Sequence, residues 1–527
     1  MRSQGSGRLR ARTPAGARQG RASPRIALHA AFVACAALSL AACNLGPSVD
    51  TSLPDDAGLP PSAHAGAAPG NRQHFVASLD IPGQWWVLFH SRALNALVET
   101  ALRNNPDLAA AQAALLRARE NALAERSGFF PQLNGGFNGT GGNVGNVAES
   151  PLASGSPAYT LLTPQVSVSY SPDVFGLRQQ QVEALDATAD VQLCQLEAAY
   201  LTLTSNVVVA AIEEASLRGQ IAATKDIIST GQSNLDLLNK QRQAGQISDS
   251  DVLVQQAALA QVAQTLPQLE KRLAQQHDLL IALAGGFPNE AAGDSLTIST
   301  LRLPRDLPLS LPSQLVMQRP DIRAADANLH AAAADVGVAI AARLPVFNLS
   351  ATYGNNSETL SALMSPQTAM WSVTGSVAEP LFDGFNLYHK EKAAQAAYSE
   401  AQARYRSTVV NAFRDVADVL YALDADARTY RASVAAANAA RKSLDLTHKQ
   451  LTAGQINSLA LLNAQQTYLQ ASLVSVEAQA ARYADTAALF QALGGGWWNR
   501  NDVSPAATAS GPTSVQDYFV PAPPAIH

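Results

Sequence analysis

Cysteine thiols are the most reactive groups in this sequence, and it contains three of them. Cys35 lies inside an apolar run, Cys43 ends that run directly after Leu40–Ala42, and Cys194 stands alone far downstream. An odd and widely spaced set of this kind excludes a disulfide framework. No partner cysteine therefore accounts for Cys43, which follows two small residues, Ala41 and Ala42, at the end of the apolar run.

The segment before Cys43 has the layout of an export signal. Several arginines and no acidic residue precede the mainly apolar run Ile26–Ala42, which is short for a membrane span and suits a signal peptide over 1–42. Leu40–Cys43 resembles the lipobox of bacterial lipoproteins, which implies covalent diacylglycerol and an N-acyl chain on Cys43 and association with outer-membrane lipid. Lipoproteins held at the inner membrane usually carry Asp where this chain has Asn44, so the resemblance implies sorting to the outer membrane. The alternative is an uncleaved signal anchor with a chance cysteine.

No arrangement of side chains predicts an enzyme. His277 and Asp278 are adjacent within a predicted helix, so their side chains point about 100° apart. The other histidines lack metal-ligand spacing, and the sequence has neither a phosphate-binding glycine loop nor a GxSxG motif. We therefore expect no catalytic residue, no metal and no cofactor besides the lipid on Cys43.

The charge balance argues against nucleic acid as a partner. The whole chain has 42 acidic and 37 basic residues. Removal of the Arg-rich signal peptide would make the mature protein more acidic still, because no acidic residue leaves with it. Nucleic-acid binding depends on positive charge that neutralises phosphates.

The chain repeats itself once. Five short motifs recur in the same order and with nearly constant spacing. The matched positions are Ala244 with Ala453, Pro106 with Pro320, Pro131 with Pro345, Gly176 with Gly384 and Leu283 with Leu493. This regularity predicts a tandem duplication. The expected organisation is an extended linker (43–90), a first repeat (91–300), a Pro-rich connector (301–312), a second repeat (313–498) and a disordered tail (499–527).

Each repeat is predicted to contain two β-strands. Apolar and polar residues alternate near 163–173, 346–354 and 371–380, and more weakly in a glycine-rich segment near 131–140. Alternation over ~10 residues is typical of transmembrane barrel strands. One such stretch alone would favour an amphipathic hairpin on a soluble core. The turn-rich segments 141–163 and 355–370 are the expected extracellular loops.

The rest of each repeat predicts helix. The intervals from Gly176 to Ala244 and from Gly384 to Ala453 are almost equal in length, and neither contains a proline. At 1.5 Å per residue each helix would be about 100 Å long. The return paths are shorter and end at glycine clusters, which gives the hairpins 177–284 and 386–493 and a further helix over 91–127. An extended coiled-coil rod is the alternative, and the strands argue against it.

Four strands cannot close a barrel in a membrane, where the smallest has about 8. An open sheet in lipid would leave its edge amides unpaired, each at a cost of several kcal/mol. Three copies would supply 12 strands and a ring of long helices. The predicted fold class is therefore mainly α with a transmembrane β-barrel, in a homotrimer. A helical ring also accounts for a charged fraction of only 15%, against about 25% in an average soluble domain.

Together these segments resemble the TolC-like outer-membrane efflux factors, specifically their NodT-like lipoprotein branch. The resemblance runs from Cys43 to Trp498 and rests on Trp85-Trp86 with Phe89, ALRNNPDL at 101–108, GFFPQL at 128–133, SYSPDVFG at 169–176, LPSQLVMQRPDIRAADANL at 311–329, EPLFDG at 379–384 and LFQALGGGWW at 489–498. It implies a trimeric passive duct with a 12-stranded barrel and a periplasmic α-barrel, exporting small molecules. It also implies a periplasmic adaptor and an inner-membrane pump of RND or related type as partners. A type I protein-secretion duct and a structural envelope lipoprotein are the alternatives.

The same resemblance places a periplasmic aperture at the tip of the second helical hairpin. Aligned on the AGQI motif, the constriction residues of the family fall at Leu459, Asn463 and Gln466. Relatives usually carry Asp at the position of Asn463, and some carry Arg at that of Gln466, so a charged lock is not expected here. At the first tip, Asp249 and Asp251 either add acidity to the aperture or are solvated turn carboxylates.

Overall fold

The structure is a computed structural model that describes residues 46–49, 73–143, 158–289, 296–309, 316–453 and 455–500. The predicted signal peptide, Cys43, Asn44 and nearly all of the predicted tail lie outside these ranges. The described residues divide into two compact units. The first comprises residues 133–177 and 344–380, and the second contains the helices.

Six strands are present in the described ranges. They are β1 (His74–Ala77), β2 (Gln132–Asn143), β3 (Ala158–Tyr170), β4 (Asp306–Leu309), β5 (Val346–Asn355) and β6 (Ala369–Ala378). The first unit is a four-stranded sheet in the order β2-β3-β5-β6. Antiparallel pairing places Tyr353 opposite Val166 on one side and opposite Trp371 on the other. All three lie on the apolar face, as the alternating pattern predicted, and β2 and β6 are the edge strands.

The strands of the first repeat are longer than predicted at the loop end. β2 continues to Asn143, and β3 begins at Ala158 rather than near 163. The expected loop 141–163 is correspondingly shorter. The extension has a physical cause, since Leu162 continues the ladder by exchanging backbone hydrogen bonds with Ser357 at 2.7 and 3.0 Å. In the second repeat the segment between β5 and β6 contains two short 3-10 turns.

Seven α-helices lie in the described part of the second unit. They are α1 (Arg92–Asn104), α2 (Pro106–Arg126), α3 (Leu177–Gln243), α4 (Asp249–Leu283), α5 (Pro320–Ala341), α6 (Asn386–Thr452) and α7 (Ser458–Ala492). Helices α3 and α6 both have 67 residues, and α4 and α7 both have 35. The predicted long helical hairpins are thus confirmed, with the same lengths in both repeats.

The helix predicted over 91–127 is two helices. Asn105 separates them, and its side chain accepts hydrogen bonds from the backbone N–H groups of Asp107 and Leu108. Pro106 occupies the first turn of α2, where its missing N–H costs nothing. Helix α3 is apolar and long enough by composition to cross a membrane, but 56% of its most apolar stretch is buried within the protein. The apolar residues of this stretch therefore pack largely inside the protein.

The prediction of an extended linker over 43–90 is wrong from Gln73 onward. β1 pairs in parallel with β4, so His74 lies opposite Asp306. Residues Trp85–Phe89 form a 3-10 helix whose Trp85, Trp86 and Phe89 are buried. The Pro-rich connector is likewise not free of structure, because it contains β4. A fully buried apolar side chain contributes roughly 1.5–3 kcal/mol. Burial of these three aromatic side chains therefore stabilises the packing of the 3-10 helix on the α-helices by several kcal/mol.

The segment around Trp85 and the end of α7 pack in one hydrophobic core. Trp85 stacks on Phe490 with ring centroids 5.4 Å apart. The predicted tail begins too early, because Asn499 donates a hydrogen bond to Ile81 O at 2.9 Å and Arg500 pairs with buried Glu197 at 2.7 Å. Gly496, with a φ of +70°, permits this close approach, since a Cβ there would lie 2.4 Å from Ile81 O.

Candidate functional site

The two helical hairpins have tips of the same construction. In the first, Gln246 N donates to Gln241 O at 2.9 Å, and in the second Gln455 N donates to Gln450 O at 2.9 Å. Gly245 has a φ of +73°, the left-handed conformation that ends many helices at glycine. The next helix of each hairpin is then capped by a polar side chain. The AGQI motif therefore encodes this turn twice.

The three predicted aperture residues lie on one face of α7. Leu459, Asn463 and Gln466 follow the helical spacing of four and then three positions, and all are exposed, with Leu459 52% exposed. The opposite face carries Leu461, which is 1% exposed and packs with Leu444 and other apolar residues of the tip. The structure thus brings the predicted residues together on a face that the protomer itself does not cover.

The two carboxylates at the first tip have local partners. Ser248 caps α4 by accepting a hydrogen bond from Asp251 N, and the Asp251 carboxylate accepts from Ser248 N at 3.2 Å. Asp249 forms an ion pair with Arg242 at 3.3 Å across the turn. These contacts stabilise the tip and favour the turn-carboxylate interpretation. The Ser248-x-x-Asp251 spacing is itself a capping signal that can be read from sequence.

The face of α4 that corresponds to the predicted aperture is also uncharged. Alignment of the two AGQI motifs matches Ser250, Val254 and Ala257 to the three residues of α7. All three are exposed. Each hairpin therefore offers a neutral face near its tip, with leucine in one repeat and valine in the other as the large apolar side chain.

The sequence did not predict a pair of carboxyl groups between α6 and α7, those of Asp426 and Asp485. Burial raises the pKa of Asp426 to about 7, and a hydrogen bond with Asp485 and the negative charge of Asp485 act in the same direction. The positive charge of Arg482 opposes this shift. Asp426 Oδ2 is buried and receives no hydrogen bond in the described structure. A proton on Oδ2 would let this oxygen donate a hydrogen bond to Asp485, whereas two ionised carboxylates can only accept. We infer that the pair holds a proton near neutral pH.

The positively charged neighbour of this pair is itself buried and fixed. Arg482 is 5% exposed and donates to Gln73 Oε1 at 2.9 and 3.1 Å. No local motif reveals the group, since its members are far apart in sequence. One signal was available: α7 carries just three charged residues in 35, Glu477, Arg482 and Asp485. Two of the three lie in this cluster.

The remaining thiol of the described chain is not reactive. Cys194 is unpaired and buried, and burial raises the pKa of its thiol to about 11. It is therefore protonated at neutral pH and a poor nucleophile. In the described ranges no group of His, Cys, Asp and Glu side chains could hold a metal ion.

Comparison with known proteins gives consistent results for sequence and structure. The family described as "Outer membrane efflux protein" matches residues 97–286 and 311–495. The chain is 29% identical over 473 residues to outer membrane protein OprJ of Pseudomonas aeruginosa, covering 88% of this chain and 94% of OprJ. It is 27% identical to pyoverdine export outer membrane protein OpmQ of Pseudomonas putida, covering 87% of this chain and 96% of OpmQ. Among solved structures, the outer-membrane channel OprN matches with a TM-score of 0.78 at 26% identity, covering 86% of this chain and 100% of OprN.

Proposed function

Because the chain belongs to the outer membrane efflux protein family and is the outer-membrane channel of an efflux system, we propose that three copies of it form a passive exit duct for small molecules. In this proposal the duct receives its cargo from a periplasmic adaptor and an inner-membrane pump of RND or related type. One of its relatives, OpmQ, is named for pyoverdine export, which supports export as the direction of transport.

The observation that carries the proposal is the open four-stranded sheet. β2 and β6 are edge strands, and the apolar face of the sheet is exposed, with Trp371 at 77% and Tyr353 at 65%. A membrane accepts such a face but not unpaired edge amides. Three sheets joined edge to edge satisfy both requirements, with 12 strands in a closed ring.

Channel formation separates the duct from its alternatives. The detergent-solubilised protein is expected to be a trimer by light scattering corrected for detergent, and to conduct ions in planar bilayers. A structural lipoprotein of the envelope would give no conductance. A monodisperse monomer that still conducts would contradict the trimer. Export of a small-molecule cargo, and not of a protein, from cells carrying the cognate pump would distinguish efflux from type I secretion.

We further propose that Cys43 carries the lipid anchor. Cys43→Ser is expected to abolish acylation and slow cleavage at Ala42-Cys43, because the thiol that accepts the lipid is lost. Mass spectrometry of the purified wild-type protein should find acyl chains on residue 43. Cys194→Ser is the matched control, since Cys194 is buried in the folded chain, and it should leave lipidation unchanged. Wild-type mature protein that begins elsewhere and carries no lipid would contradict the assignment.

A further inference from the structure

The two edge strands of the sheet are related to the two central strands by the internal duplication. β2 and β5 occupy the same place in their repeats, as do β3 and β6. The pairing of β3 with β5 therefore joins the end of one repeat to the start of the next within one chain. The same join between copies would pair β6 of one protomer with β2 of its neighbour.

The alignment of the first strand in each repeat is fixed by a proline. Pro131 directly precedes β2 and Pro345 directly precedes β5. Counting forward equally from the two prolines matches Gly135 of β2 to Leu349 of β5. The first strands of the two repeats can therefore be compared residue by residue.

The alignment of the second strand in each repeat is fixed by its outward-facing side chains. In β3 and β6 the matched positions are Val166 with Val373, Val168 with Gly375 and Tyr170 with Val377. In this alignment β6 continues one residue beyond Val377, to Ala378, whereas β3 ends at Tyr170, so the prolines that follow the two strands are displaced by one position. The match keeps the apolar side chains of both strands on one face of the sheet.

We infer that β6 of one protomer pairs with β2 of the next in the register that places Val377 opposite Gly135 and Ser376 opposite Gly136. This follows because Tyr170 lies opposite Leu349 within the chain, and the two alignments convert that pair into Val377 and Gly135. The inference rests on the proposed trimer, and it adds which residues meet at the junction.

A second observation supports this register independently, namely the sizes of the side chains. The outward pairs are Trp371 with Gly141, Val373 with Gly139, Gly375 with Phe137, and Val377 with Gly135. Each pair combines a glycine with a larger residue. A shift of two positions in one direction would set Gly375 against Gly139 and Val377 against Phe137. A shift in the other direction would set Gly375 against Gly135. Either shift would therefore pair glycine with glycine and lose the complementary sizes.

The surroundings of these positions match that complementarity. An added Cβ at Gly135, Gly136 or Gly141 would have no neighbour within 4 Å. On the other edge, Trp371 is 77% and Val373 74% exposed. Large side chains across a strand pair shield glycine backbone that would otherwise weaken the strand. The glycines made β2 the weakest of the strand predictions. On this inference they leave room at the junction for the larger side chains of β6 from the neighbouring protomer.

Disulfide trapping in the assembled, full-length protein tests the register. In a Cys194→Ser background, Ser376→Cys is combined with Gly136→Cys, and in a second variant Val377→Cys is combined with Gly135→Cys. Directly opposed residues have Cα atoms about 4.5 or 5.5 Å apart, in alternation along the ladder, so both pairs lie within disulfide reach. Oxidation is expected to yield covalent dimers and trimers on non-reducing gels.

Matched controls combine Ser376→Cys with Asn134→Cys or with Asn138→Cys. These positions are displaced by two positions from Gly136 on the same strand face, about 7–8 Å across the pair, which is too far for a disulfide. Stronger crosslinking of either control than of the Gly136 pair, in a protein that is trimeric and conducts when reduced, would overturn the register and leave the duct intact. A protein that is monomeric and does not conduct before any substitution would overturn both.

Discussion

Leu459→Ser is expected to raise single-channel conductance in planar bilayers, and to do so more than Asn463→Ala. Leu459 is exposed at the tip of the second hairpin, on the face it shares with Asn463 and Gln466. If this face forms the aperture, three copies of Leu459 make a narrow apolar ring that excludes water. Serine at this position would make the ring polar and let water and ions enter. Hydrogen bonds that the amides of Asn463 and Gln466 made across such an aperture would be neutral and worth about 1 kcal/mol each, against about 1.5–3 kcal/mol when one partner is charged.

Val474→Ser is the matched control for this experiment. Val474 is also exposed and apolar on α7, but it lies about 22 Å along the helix from Leu459. It should leave conductance unchanged. Full opening by Asn463→Ala with no effect of Leu459→Ser would show that the barrier is not apolar. No effect of either substitution would place the constriction on another turn, and Asp249 and Asp251 would be tested next.

Asp426→Asn is expected to remove a pH dependence of thermal stability between about pH 4 and 7. The folded protein raises the pKa of Asp426 to about 7 through burial and the neighbouring Asp485, whereas an unfolded Asp titrates near about 3.9. A raised folded pKa means that the contribution of this group to stability is fully present below about pH 4 and is lost as pH rises through about 7. The variant should therefore melt at a higher temperature than the wild type at pH 8, because asparagine is neutral throughout.

Calorimetry of the trimer in detergent at a series of pH values measures this effect. Asp424→Asn is the matched control, because Asp424 lies close by on the same helix and pairs with Arg428 at 3.0 Å near the surface. Its melting profile should keep the wild-type dependence on pH. An Asp426→Asn variant with the same slope as the wild type would show that the carboxyl pair does not hold the proton.

Local signals predicted the helical hairpins and most of the sheet. The helices begin and end at motifs that are short in sequence, such as the AGQI turn with Gly245, and the strands β5 and β6 carry their alternation within ten residues. Repetition of the same signals in both halves reinforced each assignment. What the sequence pattern predicted well was therefore what the chain encodes within one turn or one strand.

The parts that the sequence did not predict depend on distant partners. The strand β1 exists because β4, which lies in the connector between the two repeats, supplies its hydrogen bonds. The short strand before the tryptophan pair has no signature of its own, so the segment resembles a linker until its partner is known. Asp426 and Asp485 show the same limit for the candidate sites: each is an ordinary helical aspartate until α6 and α7 pack together.

The packing of the segment around Trp85 on the end of α7 has a consequence for export of the polypeptide. Because secreted chains emerge from the amino terminus first, Trp85 reaches the periplasm long before Phe490, the residue on which it stacks. The contact of Trp85 with Phe490 therefore forms only after the last helix has crossed the inner membrane. Completion of this core thus depends on synthesis of the chain as far as Phe490, since a chain truncated before that residue would lack the ring on which Trp85 stacks.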